Sequence, residues 1–308
     1  MSSKDPSIHA ETRSAGETSA ADGAKQHGKH RLEPGLHLVA TPIGNLRDIT
    51  LRALDTLAGA DEVLAEDTRV ARKLLDAHGI RAKLSAYHDH NGAERRPDLL
   101  EKLSGGATIA LISDAGTPLV SDPGWKLARE ALDAGIRVIP VPGASAVLAG
   151  LVASGLPSDR FMFCGFLPPK SGQRKKEAET LKSVPATLVF YEGGSRLAQC
   201  LADLADVLGA NREAAVAREL TKLFEETRRA PLGELADHYA KEGAPKGEIV
   251  ILIGPPVAET VDAADIDAAL LEAMADHPTK KAATLVADRF GLSKRDAYQR
   301  ALTLKDNG

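Results

Sequence analysis

Residues 113–124 read SDAGTPLVSDPG and follow the apolar run TIALI at 108–112. A run of β-branched and aliphatic residues that ends in turn residues is typical of a buried strand. The Gly, Pro, Asp and Ser that follow predict a shaped loop rather than a helix. A second such loop, VPGASA at 141–146, follows the strand-like pair Val138 and Ile139. Loops after successive strands are where an open α/β sheet binds its ligand, so we expect a binding site there.

Neither loop carries a phosphate-binding pattern. Neither reads G-x-G-x-x-G, and G-x-x-x-x-G-K-[ST] is absent from the whole sequence. Gly and Pro let the main chain approach a ligand closely, while Ser and Thr add hydroxyl groups. The pattern favours a ligand held by main-chain groups and small side chains, without a large anion to neutralise.

The order of the predicted elements divides the chain. Strands and helices alternate from Gly35 to Ala153, which predicts a largely parallel sheet covered on both faces. The turn at 155–158 predicts a boundary, and the closely spaced strands near 214–217 and 225–229 predict antiparallel pairing within a second, mixed sheet. The expected fold is therefore a two-domain α/β protein with a helical appendage. The expected divisions are a disordered tail over 1–33, an N-terminal α/β domain over 34–155, a second α/β domain over 156–256 and a helix-turn-helix-like appendage over 257–308.

The two ends of the chain have distinctive compositions. The tail is rich in Ser, Ala, Gly and charge, so it buries too little apolar surface to offset the entropy of ordering. Residues 258–277 carry six acidic and no basic side chains, whereas 278–308 carry seven basic and three acidic ones. Helices at 280–290 and 294–304, with Ser293 as the N-cap of the second, predict a small helical unit. This unit is either a contact for RNA or a hairpin with solvated charges.

Composition limits partners and compartment. The net charge of −4 provides no global positive field, so any contact with RNA has to be local. The isolated Cys164 and Cys200 offer neither a disulfide framework nor zinc spacing, which fits a reducing, cytoplasmic setting. No apolar run approaches the ~18 residues of a membrane span, and the N-terminus lacks the apolar centre of a signal peptide. We therefore expect no membrane partner.

Seven motifs occur in an order that resembles the tetrapyrrole methylase superfamily. They are TPIGNL (41–46), SDAGTPLVSDPG (113–124), VPGASA (141–146), FCGFLP (163–168), FYEGGSRL (190–197), RELTKLFEE (218–226) and GEIVILIG (247–254). Within the superfamily they are most similar to the bacterial 16S ribosomal RNA cytidine 2′-O-methyltransferases. The resemblance implies S-adenosylmethionine bound in a cleft between two domains, a homodimer, and methyl transfer to a cytidine ribose in 16S rRNA of the small ribosomal subunit.

The same resemblance implies which residues contact the cofactor. Gly116-Thr117-Pro118 stands where the superfamily has Gly-Asp-Pro, and Asp114 or Asp122 would compensate for the missing carboxylate. Ser145 also suits the N-cap of a helix, a role compatible with cofactor contact. The implied cofactor residues are Thr41, Pro42, Ile43, Gly116, Thr117, Pro118, Val120, Ser145, Ala146, Tyr191 and Glu192.

Polar residues after strands are the candidates for catalysis. A ribose hydroxyl is a poor nucleophile, so a general base or an orienting carboxylate is expected, and no covalent nucleophile is needed. The segment Glu66-Asp67-Thr68-Arg69 follows the second strand, although an acid at a helix N-terminus beside a surface Arg is the structural alternative. The predicted catalytic residues are Asp67, Arg69, Asp114 and Glu225.

Basic residues at several places are candidates for RNA contact. Those around Gly172 suit either a disordered phosphate clamp or an ordinary solvated loop, and Lys222 suits either phosphate or an ion pair between strands. His88 and His90 lack a third ligand motif, so we expect a hydrogen bond to substrate or structure and no metal. The predicted RNA contacts are His88, Lys170, Arg174, Lys175, Lys176, Lys222, Lys294 and Arg295.

Two rival functions remain. One is a methylase of the same superfamily that acts on a precorrin-like ring, against which the bulky Pro42-Ile43-Gly44 loop and the basic C-terminal tail argue. The other is a cofactor-sensing or RNA-binding protein without turnover, in which the carboxylates at the strand ends would be idle. Methyl transfer to ribosomal RNA is the function that the sequence favours.

Overall fold

A computed structural model describes residues 32–121, 123–256 and 263–306 of the 308-residue chain. Nearly all of the tail predicted to be disordered, Asp122 in the long loop, and residues 257–262 at the start of the appendage lie outside the described residues.

The first half of the protein is an all-parallel sheet between layers of helices. Its strand order is β3-β2-β4-β1-β5, and each neighbouring pair is parallel. The β4 strand is buried along its whole length, as its continuous apolar run predicts. The strands are β1 (Gly35–Val39), β2 (Glu62–Ala65), β3 (Leu84–Ala86), β4 (Thr108–Ile112) and β5 (Val138–Val141). The helices are α1 (Leu51–Gly59), α2 (Thr68–Ala77), α3 (Asp89–Ser104), α4 (Trp125–Asp133) and α5 (Ala146–Ser154).

The second half is built on a mixed sheet, as expected. Its order is β6-β7-β10-β8-β9, in which only β6 and β7 are parallel, and β8 and β9 form the predicted antiparallel pair. The strands are β6 (Phe161–Phe166), β7 (Thr187–Gly193), β8 (Glu213–Arg218), β9 (Glu226–Pro231) and β10 (Glu248–Ile253). Helices α6 (Ser171–Leu181), α7 (Leu197–Leu208) and α8 (Leu232–Glu242) cover one face of this sheet.

Helix α5 covers the other face of the mixed sheet. Its residues Val147 and Leu151 join one buried cluster with Ala215, Val250 and Leu252 from that sheet. Ile43, from the loop after β1, belongs to the same cluster. The mixed sheet therefore shares a hydrophobic core with α5 and with the loop after β1, and the loops at the carboxyl edge of the parallel sheet face the mixed sheet.

Three helices form the C-terminal unit. They are α9 (Ala263–Asp276), α10 (Thr279–Phe290) and α11 (Lys294–Asp306), and they enclose a core around Leu270, Val286 and Ala301. The predicted pair of helices is confirmed, and Ser293 accepts a hydrogen bond from the Asp296 amide at 3.1 Å as the predicted N-cap. The acidic segment, which falls within the appendage expected to be helical, contains α9.

Two predicted loops are helical instead. His88-Asp89-His90-Asn91 forms the first turn of α3, because the Asn91 side chain accepts from the His88 amide at 2.9 Å and closes the helix end. The basic segment 170–176, predicted to be a disordered loop, forms the start of α6, which Arg174 anchors to α7. The three-residue strand β3 was also missed, since a run that short has no readable alternation.

None of the helices in the three described segments combines the length and the apolar character that crossing a bilayer requires.

Candidate active site

A cavity of about 360 Å³ lies between the carboxyl edge of the parallel sheet and strands β7 and β10 of the mixed sheet. The loops after β1, β4 and β5 form one wall, and the strands form the other. The lining residues are Ile43, Asp114, Ala115, Gly116, Thr117, Val120, Ser121, Ser145, Ala146, Phe166, Tyr191, Glu192, Gly193, Leu220, Gly247, Glu248, Ile249 and Val250.

Main-chain hydrogen bonds hold the loops of the first wall together. Thr41 and Gly116 exchange both backbone bonds, at 2.9 and 3.0 Å, and the Thr41 hydroxyl donates to the Ser113 carbonyl at 3.1 Å. Gly116 has a φ of +78°, and an added Cβ would lie 3.3 Å from Ile43. Leu119 and Ser121 also have positive φ values, which are costly for residues with side chains. These loops are joined by hydrogen bonds and strained at their positive φ values, and they present peptide groups to the cavity.

Asp114 is the carboxylate of the lining that is left available. Its Oδ1 accepts a hydrogen bond from the Asp67 amide at 3.1 Å, and it forms no ion pair with any residue that the structure describes. Glu192 is buried and bonded to Arg196 at 2.7 Å, while Glu248 is bonded to Lys222 at 3.0 Å. Among the described residues of the lining, Asp114 is therefore the one acid without an ion pair.

Asp67 and Arg69 form a local pair at the start of α2. Asp67 is the N-cap, and its carboxylate meets the Arg69 guanidinium at 2.6 Å. Hydrogen bonds from the Arg69 side chain and amide lower the pKa of Asp67 to about 2. This is the geometry of the structural alternative, and a carboxylate with so low a pKa is a weak base.

Glu66 has the opposite electrostatic environment. Partial desolvation raises its pKa, and the negative charges of Asp114 and Asp89 raise it further. A base is most effective when its pKa approaches the working pH, so the pKa of Glu66 suits a proton acceptor better than that of Asp67. Neither Glu66 nor Asp67 lines the cavity, and Asp114 is the acid of this group that does. The sequence does not mark Glu66 as catalytic, because only the fold brings it near Asp89 and Asp114, which come from other loops.

Glu225 does not line the cavity. Its Oε2 accepts a hydrogen bond from the Thr221 amide at 2.5 Å, within a turn where Glu219 and Thr221 have positive φ values. Leu220, from the same turn, lines the cavity and packs into the core that the mixed sheet shares with α5. The visible role of Glu225 is to hold this turn in shape.

Most of the residues predicted to bind the cofactor meet at the cavity. Eight of the eleven line it: Ile43, Gly116, Thr117, Val120, Ser145, Ala146, Tyr191 and Glu192. Thr41, Pro42 and Pro118 are buried behind the lining, where they shape the loops. Ser145 lines the cavity and is also the N-cap of α5, since its hydroxyl accepts from the Leu148 amide at 3.5 Å.

The residues predicted to contact RNA do not form one surface. Arg174 is only 2% exposed and bonds Asp203 at 2.7 Å, so it has no surface to offer RNA; its place is a buried ion pair between α6 and α7. Lys222 forms the predicted alternative, an ion pair with Glu219 at 2.7 Å and with Glu248.

The other candidates differ in exposure. His88 is half-buried at the start of α3, and Lys175 is ion-paired with Asp206 at 2.6 Å. Lys294 lies 3.6 Å from Asp288. The exposed candidates are Lys170, Lys176, Lys294 and Arg295. In the described ranges no three His, Cys, Asp or Glu side chains come together as metal ligands.

Several lining residues were missed from the sequence. Gly247, with a φ of +104°, and the first residues of β10 were interpreted only as a strand. Phe166 and Leu220 lie within two of the seven motifs, but the motifs do not indicate a role for either residue. Because β10 enters the cavity by pairing with distant strands, nothing local in its sequence marks it as part of the site.

The lining suits a small cationic ligand that carries a heteroaromatic group. Ile43, Val120 and Leu220 provide apolar walls, Thr117 and Ser145 provide hydroxyls, and the glycines provide accessible backbone. Asp114 provides a negative charge next to them. These groups fit the sulfonium, the adenine and the amino-acid end of S-adenosylmethionine.

Comparison with known proteins gives two family matches that together cover most of the chain. Residues 35–236 match the family described as Tetrapyrrole (Corrin/Porphyrin) Methylases. Residues 260–305 match the RsmI C-terminal HTH domain, which coincides with the three-helix C-terminal unit.

Curated relatives match over nearly their whole length. The chain is 58% identical over 275 residues to "Ribosomal RNA small subunit methyltransferase I" of Mesorhizobium japonicum, covering 89% of this chain and 94% of that protein. It is 46% identical over 281 residues to the protein of the same name from Escherichia coli O157:H7, covering 90% and 98%.

Solved structures of more distant proteins have the same fold. A diphthine synthase aligns with a TM-score of 0.57 at 17% identity, covering 71% of this chain and 89% of that one. Uroporphyrin-III C-methyl transferase from Thermus thermophilus, solved in complex with S-adenyl homocysteine, aligns with a TM-score of 0.51 at 23% identity, covering 71% and 96%.

Proposed function

The chain belongs to the tetrapyrrole methylase family, and from that premise we propose that it methylates the ribose 2′-oxygen of a cytidine in 16S ribosomal RNA. The methyl donor is S-adenosylmethionine. The observation that carries the proposal is the cavity between the two sheets, which assembles eight residues implied by the methylase motifs. The relatives at 46–58% identity, which are named as small-subunit rRNA methyltransferases, support RNA as the acceptor.

The chain's own residues would bind both reactants and handle one proton. When bound, S-adenosylmethionine supplies an electrophilic methyl group. The hydrogen-bonded loops after β1 and β4 would fix the position of the cofactor. Alignment of donor and acceptor supplies much of the rate of such a displacement. Asp114, which lines the cavity, orients the ribose hydroxyl. Glu66 does not line the cavity, but its pKa is raised by partial desolvation and by the charge of Asp114, so it accepts the proton as the carbon–oxygen bond forms and the methyl–sulfur bond breaks.

We propose the same division of the chain as the sequence indicates, with domains over 34–155 and 156–256 and an appendage over 257–308. The parallel sheet lies wholly before Gly155, and the mixed sheet lies between Phe161 and Ile253, which supports the first boundary. The appendage has its own apolar core, which supports the second. We assign RNA contact to the exposed Lys170, Lys176, Lys294 and Arg295, and place the enzyme in the cytoplasm, where ribosomes are assembled.

We further propose that the protein is a homodimer. Leu148 and Val152 lie one helical turn apart on α5, and both project away from the shared core with more than half of their surface exposed. Contiguous exposed apolar patches mark interaction surfaces, and we infer that this pair contributes to one. A second copy of the chain would cover them.

A transfer assay tests the function. The protein is incubated with labelled S-adenosylmethionine and, in separate reactions, with unmethylated small ribosomal subunits, free ribosomal RNA and a tetrapyrrole precursor. We expect label on the RNA, in a dinucleotide that resists alkaline hydrolysis because its 2′-oxygen is blocked. Label on the tetrapyrrole alone would overturn the proposal in favour of a ring methylase. Tight cofactor binding without any transfer would favour a protein that only senses the cofactor.

A further inference from the structure

Phe166 is an aromatic side chain kept in water at the rim of the cavity. It lines the cavity and is nevertheless 60% exposed. Of the other apolar side chains in the lining, Ile43, Leu220 and Val250 are buried, and Val120 is only 37% exposed. Exposing a large ring costs free energy, so a position that maintains the exposure at a binding cavity indicates a use for the ring.

A β-bulge places the ring there. In the pairing of β6 with β7, Phe163 faces Val189 and Gly165 faces Phe190, which leaves Cys164 as the extra residue. In a regular strand, residues three apart point to opposite faces. The bulge brings Phe163 and Phe166 to the same ring instead, because their centroids lie 4.9 and 5.5 Å from that of Tyr191. Bulges near active sites commonly re-aim a side chain in this way.

The bulge also gives the ring a firm base. Gly165 has a φ of +65°, which a residue with a side chain adopts only under strain. A Cβ added there would lie 3.5 Å from the Ser121 hydroxyl, so the bulge lies against the strained loop of the opposite wall. Phe163, Tyr191 and Phe166 form a row of rings that runs from the shared core to the open rim. The outermost ring has one side supported and the other exposed.

We propose that Phe166 is the platform on which a base of the substrate RNA stacks, which positions the adjoining ribose over Asp114. This inference rests on the proposed function and names the group that holds the acceptor. The chemistry recognised is a planar heteroaromatic base, of which the cofactor's adenine is a second source. The rim position favours the substrate, because the buried side chains are the ones that enclose a ligand inside the cavity. Stacking on aromatic rings is a common means of holding single-stranded or flipped-out bases.

The test compares Phe166→Ala with Phe161→Ala. Phe161 lies at the other end of the same edge strand, is 43% exposed, and does not line the cavity, so it is the matched control. We expect Phe166→Ala to lower kcat/KM for unmethylated small ribosomal subunits about 5- to 150-fold, the range that base–aromatic stacking spans in alanine substitutions. The loss should be mainly in KM, and the Kd for S-adenosylmethionine should stay within about twofold of wild type, because the cofactor meets other walls.

Two further variants separate stacking from simple packing. Phe166→Trp should restore most of the lost kcat/KM, whereas Phe166→Leu, which keeps apolar volume without a ring, should behave like Phe166→Ala. Thermal melting of each variant verifies folding. Full activity of Phe166→Leu, equal effects of Phe166→Ala and Phe161→Ala, or a weakened cofactor Kd with an unchanged KM for subunits would each overturn the inference. If wild-type protein transfers no methyl group to subunits, the proposed function itself fails.

Discussion

Glu66 and Asp67 are neighbours in the chain with opposite ionisation behaviour. A hydrogen-bonded Arg69 holds Asp67 ionised down to about pH 2, whereas desolvation and two nearby acids make Glu66 easier to protonate than an ordinary glutamate. Two adjacent carboxylates with pKa values shifted apart are the usual mark of divided roles in a site. Sequence alone indicated the segment, but the difference between its members depends on Asp89 and Asp114, which other strands bring to the same sheet edge.

Replacing Glu66 with Gln should lower kcat/KM for small subunits by about 10²- to 10⁴-fold, the usual contribution of a general base. In the wild type, activity should fall as pH drops through the pKa of Glu66, which lies above its ordinary 4.5. Asp89→Asn is the control: it removes a negative neighbour, so the pKa of Glu66 falls and the acid limb moves to lower pH with little loss of rate. A Glu66→Gln enzyme with the wild-type pH–rate profile would exclude this role.

Arg174 shows how burial removes a residue from a predicted surface. Its guanidinium bonds Asp203 at 2.7 Å and both residues are almost fully buried, so removing either partner leaves an uncompensated charge in the interior. We expect Arg174→Ala to lower the free energy of unfolding by about 3–5 kcal/mol, measured by urea denaturation. The exposed neighbour Lys176→Ala should change it by less than about 0.5 kcal/mol. If Arg174→Ala had a small effect on stability and a large effect on RNA binding, Arg174 would be an RNA contact, as the sequence predicted.

At the scale of elements, apolar pattern predicted most strands and helices because burial follows that pattern directly. The β4 run, the β8–β9 pair and the last two helices all lie close to their expected positions. The pattern predicted the ends less well for elements that begin at side-chain hydrogen bonds. The Asn91 side chain closes the N-terminus of α3, and Arg174 anchors the first turn of α6 to α7; periodicity in the sequence indicates neither contact.

Glu62 joins β2 to the edge strand β3, because it accepts hydrogen bonds from Ser85 and Lys83. Burial alone would raise its pKa, but hydrogen bonds from Ser85 and Lys83 and the charge of Lys102 outweigh burial and lower it to about 2. Because the folded-state pKa is below the unfolded value, the stabilisation is complete above about pH 4.5 and is lost as pH falls toward 2.

Glu62→Gln should therefore destabilise the protein by about 3 kcal/mol at pH 7, as a pKa difference of about 2.5 units implies. The difference from wild type should shrink steadily in urea denaturation curves recorded from pH 4.5 downward. Asp98→Asn, which removes the exposed partner of Lys102, should cost less than about 0.5 kcal/mol at any pH. A Glu62→Gln deficit that is independent of pH would contradict this explanation.

At the scale of the whole molecule, the exposed Val152 on α5 tests the proposed homodimer. It is 77% exposed in the single chain. Val152→Glu should place a charge in the interface and give a monomer in sedimentation velocity, because burying an unpaired carboxylate costs several kcal/mol. Leu132→Glu on α4, at a position with 57% exposure, should leave the assembly unchanged. If the wild-type protein sediments as a monomer, the proposed homodimer is wrong.

Helix α5 follows the last strand of the first sheet but packs in the core of the second sheet. Ile43, from the loop after β1, packs into the same core, so parting the two sheets would pull Ile43 out of it and expose its side chain to water. Separating the two sheets would therefore cost apolar burial. Thermal melting should accordingly show residues 34–256 unfolding in one cooperative transition, which S-adenosylmethionine shifts upward as a whole.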